Sequence, residues 1–317
     1  MSGEQAPAVL STRKRKRNRH DRPLLCGVDA TAGGRAVVSI AGALAARLHA
    51  PLILVHVDSD GEPRSARTGE RALRLLDTSY MRSLRGVEVR TRWEYGDPTT
   101  RLLDMVEQEN ARLLLVGSRG RGRFTRALLG SVSTAVAARA TSPVCVVPSD
   151  EDWSAHPDGL DGPVLCGIDE SDGAIAAARY GSELAGALGA EVRLAHVLPT
   201  GTGAAMPTSS GVTPLTLELV AEHERQRALR LLDRVRRAAG LATNVRLYLA
   251  RGEPAEGLDA LAEDQAAGLV VVASRGRAAR RAALLGSASA TLAATGRRPV
   301  LVLSPIDQAA LARSATA

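Results

Sequence analysis

GSRGRGRFTRALLGS runs from Gly117 to Ser131, and ASRGRAARRAALLGS runs from Ala273 to Ser287; nine of the fifteen positions are identical. A segment this distinctive appearing twice points to duplication, and the flanking sequence extends it. At the same offset of 156 residues, GDP (Gly96–Pro98) matches GEP (Gly252–Pro254), and PVCVV from Pro143 matches PVLVL from Pro299. Earlier in each copy the offset is 140: PLLCGVDAT (Pro23–Thr31) matches PVLCGIDES (Pro163–Ser171), and LVHV (Leu54–Val57) matches LAHV (Leu194–Val197). The second copy has therefore gained 16 residues between its second and third strands, and PTGTGAAMPTSSGVTP (Pro199–Pro214) has the Gly, Pro, Ser and Thr content of a loop.

Within each copy short apolar runs alternate with helical patterns. In the first, PLLCGVD, PLILVHV, VEVRTRWEY, RLLLVGS and PVCVVP read as strands. Between them, GRAVVSIAGALAARLHA, RALRLLDTSYMRSL (Arg71–Leu84), TTRLLDMVEQEN and SVSTAVAARA read as helices. Near-continuous Val, Leu and Ile strands imply a sheet covered on both faces, and strands separated by crossover helices imply parallel pairing. The fold class expected is α/β: two tandem Rossmann-like, doubly wound domains, each with a five-stranded parallel sheet. The boundaries read as a basic tail over 1–22, a first domain over 23–148, a polar linker over 149–162, a second domain over 163–304 and a short tail over 305–317.

Composition narrows the classes further. The chain has 317 residues, 45% of them apolar and only 2% aromatic, so its core is built from aliphatic side chains and alanine. The formal charge is +7, and RKRKRNRH (Arg13–His20) places six Lys/Arg among eight residues. That tail reads as a solvated arm rather than a nucleic-acid contact, since no aromatic lies in it to stack on bases. Cys26, Cys145 and Cys166 each sit in an apolar run without CxxC spacing, which argues against a zinc site or a disulfide framework. No stretch is long and apolar enough for a membrane span, and no signal-peptide pattern opens the chain, so a cytoplasmic, reducing location is expected.

In an open parallel sheet, ligands meet the carboxyl ends of the strands where the strand order reverses. Asp29, Val57, Asp58 and the loop from Gly117 fall there in the first copy. A glycine ending the fourth strand leaves room for close approach, and Gly120 permits a turn with exposed amides. Gly130 and Ser131 open a helix whose amides and dipole favour an anion, beside Arg119, Arg121, Arg123 and Arg126. The segment is neither a Walker A loop nor GxGxxG, and a Gly-Ser opening a helix is often only a cap. His56 and His196 occupy equivalent second-strand positions and read as satisfied core imidazoles. Asp58 has no counterpart, Leu198 standing in its place, so a symmetric catalytic role for it is excluded. No HExxH or GxSxG motif occurs, and neither a catalytic residue nor a metal-ligand set is assigned.

Taken together, G117-x2-G120-x9-G130-S131, Asp29 after the first strand, HV ending the second, GDP after the third and PVCVV as the fifth resemble the ATP-binding universal stress proteins. The resemblance spans both copies. It implies ATP contacted by Asp29, Val57, Gly117, Gly120, Gly130, Ser131 and Val132, with Mg²⁺ carried on the phosphates. It also implies pairing of two domains through their last strands, which a tandem chain can form within itself; a further homodimer stays open. Such a protein acts as a nucleotide-dependent stress or signalling regulator through an unidentified protein partner, with slow ATP hydrolysis or ATP-independent interaction as the alternatives. The related adenylating enzymes carry SGG.DS or HIGH signatures, and neither is present. In the second copy Asp169, Val197, Gly276, Gly286 and Ser287 match, but Ala273 replaces Gly117 and Ala288 replaces Val132. A methyl beside the sugar, and the resistance of alanine to positive φ, lead us to expect a weaker second site.

Overall fold

The computed structural model describes residues 22–29, 32–59, 84, 86–118, 129–148, 160–199, 214–274, 285–304 and 308. The basic tail, the helix expected from Arg71, and segments 119–128 and 275–284 lie outside these. So do three expected site residues, Arg119, Gly120 and Gly276.

In the first copy, β1 (Leu24–Gly27), β2 (Leu52–Asp58), β3 (Val89–Tyr95), β4 (Leu113–Gly117) and β5 (Val144–Val147) alternate with α1 (Ala32–Arg47), α2 (Pro98–Gln108) and α3 (Ser131–Arg139). The second copy repeats the plan with β6 (Val164–Gly167), α4 (Gly173–Leu188), β7 (Val192–Leu198), α5 (Pro214–Ala238), β8 (Arg246–Arg251), α6 (Pro254–Asp264), β9 (Leu269–Ala273), α7 (Ser287–Thr295) and β10 (Val300–Leu303). The strands form one ten-stranded sheet in the order β3-β2-β1-β4-β5-β10-β9-β6-β7-β8. Within each copy every pairing is parallel, and β1 sits between β2 and β4, so the strand order reverses beside it. The doubly wound α/β fold expected from the sequence is the fold observed.

The two halves are joined by β5 and β10, which pair antiparallel with Val300 opposite Val146, Leu301 opposite Cys145 and Val302 opposite Val144. All six of these side chains are buried. Ser304 then donates its hydroxyl to the Ala140 carbonyl at 2.8 Å across the same junction. Because strand side chains alternate between faces, Leu301 and Cys145 join the core on one face, while Val144, Val146, Val300 and Val302 join the other. Each core layer therefore runs through both copies, and α1 touches α4 over the junction. At the outer edges, β3 and β8 carry Arg90, Arg92, Arg246 and Arg251, a charge pattern that discourages further strand addition.

The GDP and GEP motifs acquire a local structural account. Gly96 and Gly252 have φ of 116° and 139°, the left-handed region open to glycine, and turn the chain from strand into helix. Pro98 and Pro254 then occupy the first helical turn, where a missing N–H costs nothing. Asp97 caps α2 by accepting from the Thr100 amide at 2.8 Å and its hydroxyl at 2.7 Å. These bonds hold the Asp97 carboxyl below its ordinary range, the hydroxyl having the larger effect. Glu253 makes no equivalent side-chain bond.

Two expectations follow. Burial pushes the thiols of Cys145 and Cys166 up to about 12 and that of Cys26 higher still. A thiolate is the reactive form, so a maleimide at pH 8 should label none of the three cysteines in the folded protein and all three after denaturation. Leu301→Asp places a carboxylate in the dry junction, a loss of roughly 4 kcal/mol. Calorimetric scanning should show the melting temperature lowered by about 10 °C, with the single transition resolving into two as the copies melt separately.

Candidate functional site

Each copy carries a cavity at the carboxyl ends of its strands, beside the reversal in strand order. The first has a volume of about 310 Å³ and is walled by the ends of β1, β2 and β4 and by the start of α3. It gathers Asp29, Val57, Gly117, Gly130, Ser131 and Val132 around one space. The second, about 480 Å³, gathers Asp169, Val197, Ala273 and Ala288. Gly286 and Ser287 stand at its margin, where the wall is made by Ala288 and Ser289 instead. Both volumes fall within the range of roughly 300–1,000 Å³ usual for small-molecule sites.

The polar equipment of the first cavity is mostly main chain. Val28 extends the pairing of β1 by donating to the Val55 carbonyl at 2.8 Å, which sets Asp29 just beyond the last ladder bond. Gly130 is the N-cap of α3, with φ −58° and ψ 146° and no side-chain capping bond. Ser131 is thus the first helical residue and not the cap. The Gly130 amide donates to the Ser118 carbonyl at 2.9 Å, and the first intrahelical bond is from Thr134 to the Gly130 carbonyl. Among the described residues the amides of Ser131, Val132 and Ser133 have no backbone acceptor. Three adjacent N–H groups at the positive end of a helix, opening onto a cavity, form an anion-binding arrangement. Ser133 holds that helix end to the strand by donating its hydroxyl to the Gly117 carbonyl at 2.6 Å.

The second copy is built the same way. Gly286 caps α7 without a side-chain bond, and its amide donates to the Ser274 carbonyl. Ser289 donates to the Gly286 and Ser274 carbonyls at 3.0 and 3.3 Å. A Cβ on Gly286 would strike the Ser274 carbonyl oxygen and lie 3.2 Å from Ser289 Oγ. The last glycine of the motif is therefore required by the contact between strand end and helix start. Ser133 and Ser289, which make that contact on the helix side, escaped the sequence reading; their identical placement two residues after the Gly-Ser pair was the available signal.

Ala273 needs a correction. Its backbone is not in the left-handed region; it continues β9, paired with Leu303 of β10. Gly117 likewise continues β4, opposite Val147. No positive φ is demanded at this position, so the conformational argument against alanine falls, and only its methyl distinguishes the copies.

The imidazoles of His56 and His196 are partnered as expected: each donates through Nδ1 to a carbonyl, Val28 at 2.8 Å and Ile168 at 2.7 Å. His56 also packs on Trp93 with ring centroids 4.9 Å apart. Both histidines line their cavities. Among the described residues no group of three or more His, Cys, Asp or Glu could hold a metal ion, and no helix is long and apolar enough to cross a membrane. The second cavity has one feature with no described counterpart in the first. Arg227 of α5 pairs with Glu170 at 2.8 Å, and both line the wall with Glu224, Ala228 and Leu231.

Comparison with known proteins agrees with this architecture. A universal stress protein of Mycolicibacterium smegmatis is 30% identical over 305 residues, covering 89% of this chain and 97% of its own length. Two solved structures share the fold at identities too low to carry more than fold. A universal stress protein from Archaeoglobus fulgidus superposes with a TM-score of 0.62 at 20% identity, over 90% of this chain and 98% of that one. A functionally unknown protein from Pseudomonas aeruginosa gives 0.60 at 16%, over 94% and 98%. The sequence profile of the Universal stress protein family matches residues 22–148 and again residues 162–304, and the chain belongs to that family, carrying its domain twice.

Proposed function

We propose that this chain binds ATP at the first cavity and works as a nucleotide-dependent regulator in the cytoplasm, changing its interaction with a protein partner according to occupancy. The observation that carries this reading is the uncapped start of α3, whose Ser131, Val132 and Ser133 amides open onto a cavity that also holds Asp29 and Val57. In this reading the amides donate to phosphate oxygens, where the helix dipole adds to each bond. Asp29 accepts from sugar hydroxyls, and the main chain at Val57 meets the base. Mg²⁺ is bound through the phosphates, supplying charge neutralisation without protein ligands. Arg119 and Gly120, expected from the sequence to meet the phosphates, lie outside the described residues.

The test is calorimetric titration of ATP and Mg²⁺ into the nucleotide-stripped full-length chain. Asp29→Ala should weaken the first site about tenfold by removing a charged acceptor. Val132→Asp separates binding from folding: a carboxylate in the first turn of a helix is stabilising by ~0.3–1 kcal/mol, yet it competes with phosphate for the same amides. It should lower first-site affinity at least tenfold while far-ultraviolet circular dichroism shows the fold intact, the gain at the helix start offsetting part of the lost Val132 packing. Absence of binding at millimolar ATP in the unaltered chain would overturn the reading and leave an ATP-independent interaction protein.

A further inference from the structure

The two cavities differ where the first helix of each copy meets the end of the fourth strand. In the first copy Gly34 and Val37 of α1 line the cavity beside Asp29 and Gly117. In the second no residue of α4 lines it, and that wall ends at Asp169 and Ala273. Gln308 sits at the corresponding place. A Cβ built on Gly173, the first residue of α4, would lie 2.6 Å from Gln308 Oε1, 2.9 Å from its Cδ and 2.7 Å from the Ala273 Cβ. The Gln308 carboxamide and the Ala273 methyl thus both crowd Gly173, leaving no room for a side chain on it.

Gln308 is fastened in this position. Its Nε2 donates to the Leu303 carbonyl at 3.0 Å, and its amide donates to the Ser304 carbonyl at 3.1 Å. The Leu303 carbonyl also accepts from the amide of Ser274, the residue after Ala273, so the glutamine is tied to the strand ends that carry the site. The first copy has glycine at both matching positions, Gly33 and Gly117. The carboxylate of Asp169 is meanwhile engaged by its own loop, its Oδ1 accepting from the Ser171 amide at 3.0 Å and hydroxyl at 2.5 Å. The Ala273 methyl and the Gln308 carboxamide bear on the part of the cavity that in the first copy lies between Asp29 and Gly117.

We infer that Gln308, which with Ala273 crowds Gly173, is a specificity-determining residue that closes the sugar side of the second cavity, so that one chain carries a strong and a weak ribonucleotide site. The inference rests on the nucleotide reading above. It predicts that the second site gains little from sugar hydroxyls, and that the first alone prefers ATP over its 2′,3′-dideoxy analogue.

The experiment is calorimetric titration of both nucleotides into the full-length chain and into Gln308→Ala and Ala273→Gly/Gln308→Ala, with circular dichroism to confirm folding. Ala288→Asp, acting on the start of α7, identifies the second-site step by removing it. Expected are two steps in the unaltered chain, the second weaker by at least about tenfold and indifferent to the sugar hydroxyls. In the double variant the second step tightens by a similar factor and acquires the preference for ATP. Gln308→Ala alone, a change on a half-buried side chain, should move it part of the way. Two equal steps in the unaltered chain, or a second step unmoved in the folded variants while the first binds normally, would overturn the inference alone. Absence of both steps would overturn the nucleotide reading, and the inference with it.

Discussion

The arrangement of this molecule depends on one short pairing, β5 against β10, three residues of antiparallel register at the centre of a ten-stranded sheet. Every other pairing in the sheet is parallel and internal to one copy. A parallel five-stranded unit ending in an apolar strand such as Val144–Val147 leaves an unpaired edge that invites association. Here the second copy satisfies the edge of the first. The cost of leaving those strands open is removed without a second chain, and the two core layers become continuous across the junction. The antiparallel sense also fixes where the cavities lie. Strands of the two copies run in opposite directions, so the carboxyl ends, and the cavities with them, face opposite edges of the sheet. The junction strands, whose backbones also seat α3 and α7, therefore lie on one route between the cavities, beside the α1–α4 contact and the shared core layers.

The same geometry explains which readings could be made from residues alone. Duplication, the parallel sheet and the clustering of Asp29, Val57 and the Gly130–Ser131 pair follow from apolar periodicity and from the offset between copies, because strand ends at a switch point converge whatever the details. The roles of individual glycines are not fixed by that logic. Gly117 reads as a conformational requirement, yet in the folded chain it is an ordinary residue of β4, and Ala273 fills the matching place in β9 without strain. Gly286 reads as a nucleotide contact at a helix start, yet it is the Ser274 carbonyl behind it that excludes a Cβ there. Gly96, a motif residue with no evident chemistry, is one that requires positive φ. Sequence records that a side chain is absent; only the neighbours say which atom needed the space.

The contribution of Gln308 could not be read in advance for a related reason. It follows the last strand of the second copy and has no partner in the repeat, so comparing the copies passes over it. It crowds Gly173, 135 positions away in the chain, and bonds Leu303 and Ser304, 5 and 4 positions away, and no local pattern links the glycine to it. A duplicated site diverges most readily through such additions, since the elements shared with the other copy are held by the fold itself.

The walls of the second cavity carry this divergence in two places. On the α4 side Ala273 lines the cavity, while Gln308 crowds Gly173 at the start of the helix. On the α5 side it is bounded by Ala228 and Leu231, with the Arg227–Glu170 pair beside them. That ion pair is exposed, so its contribution to stability is small, and it holds a cation at the cavity wall at little structural cost. The amides at the start of α7 keep the same uncapped geometry as those of α3. Glycine caps give both helix starts the same backbone geometry, and in the second copy a Cβ on Gly286 would strike the Ser274 carbonyl, so the fold itself holds that residue. The walls around those helix starts are made by side chains that the fold leaves free to vary, and it is there that the two copies differ.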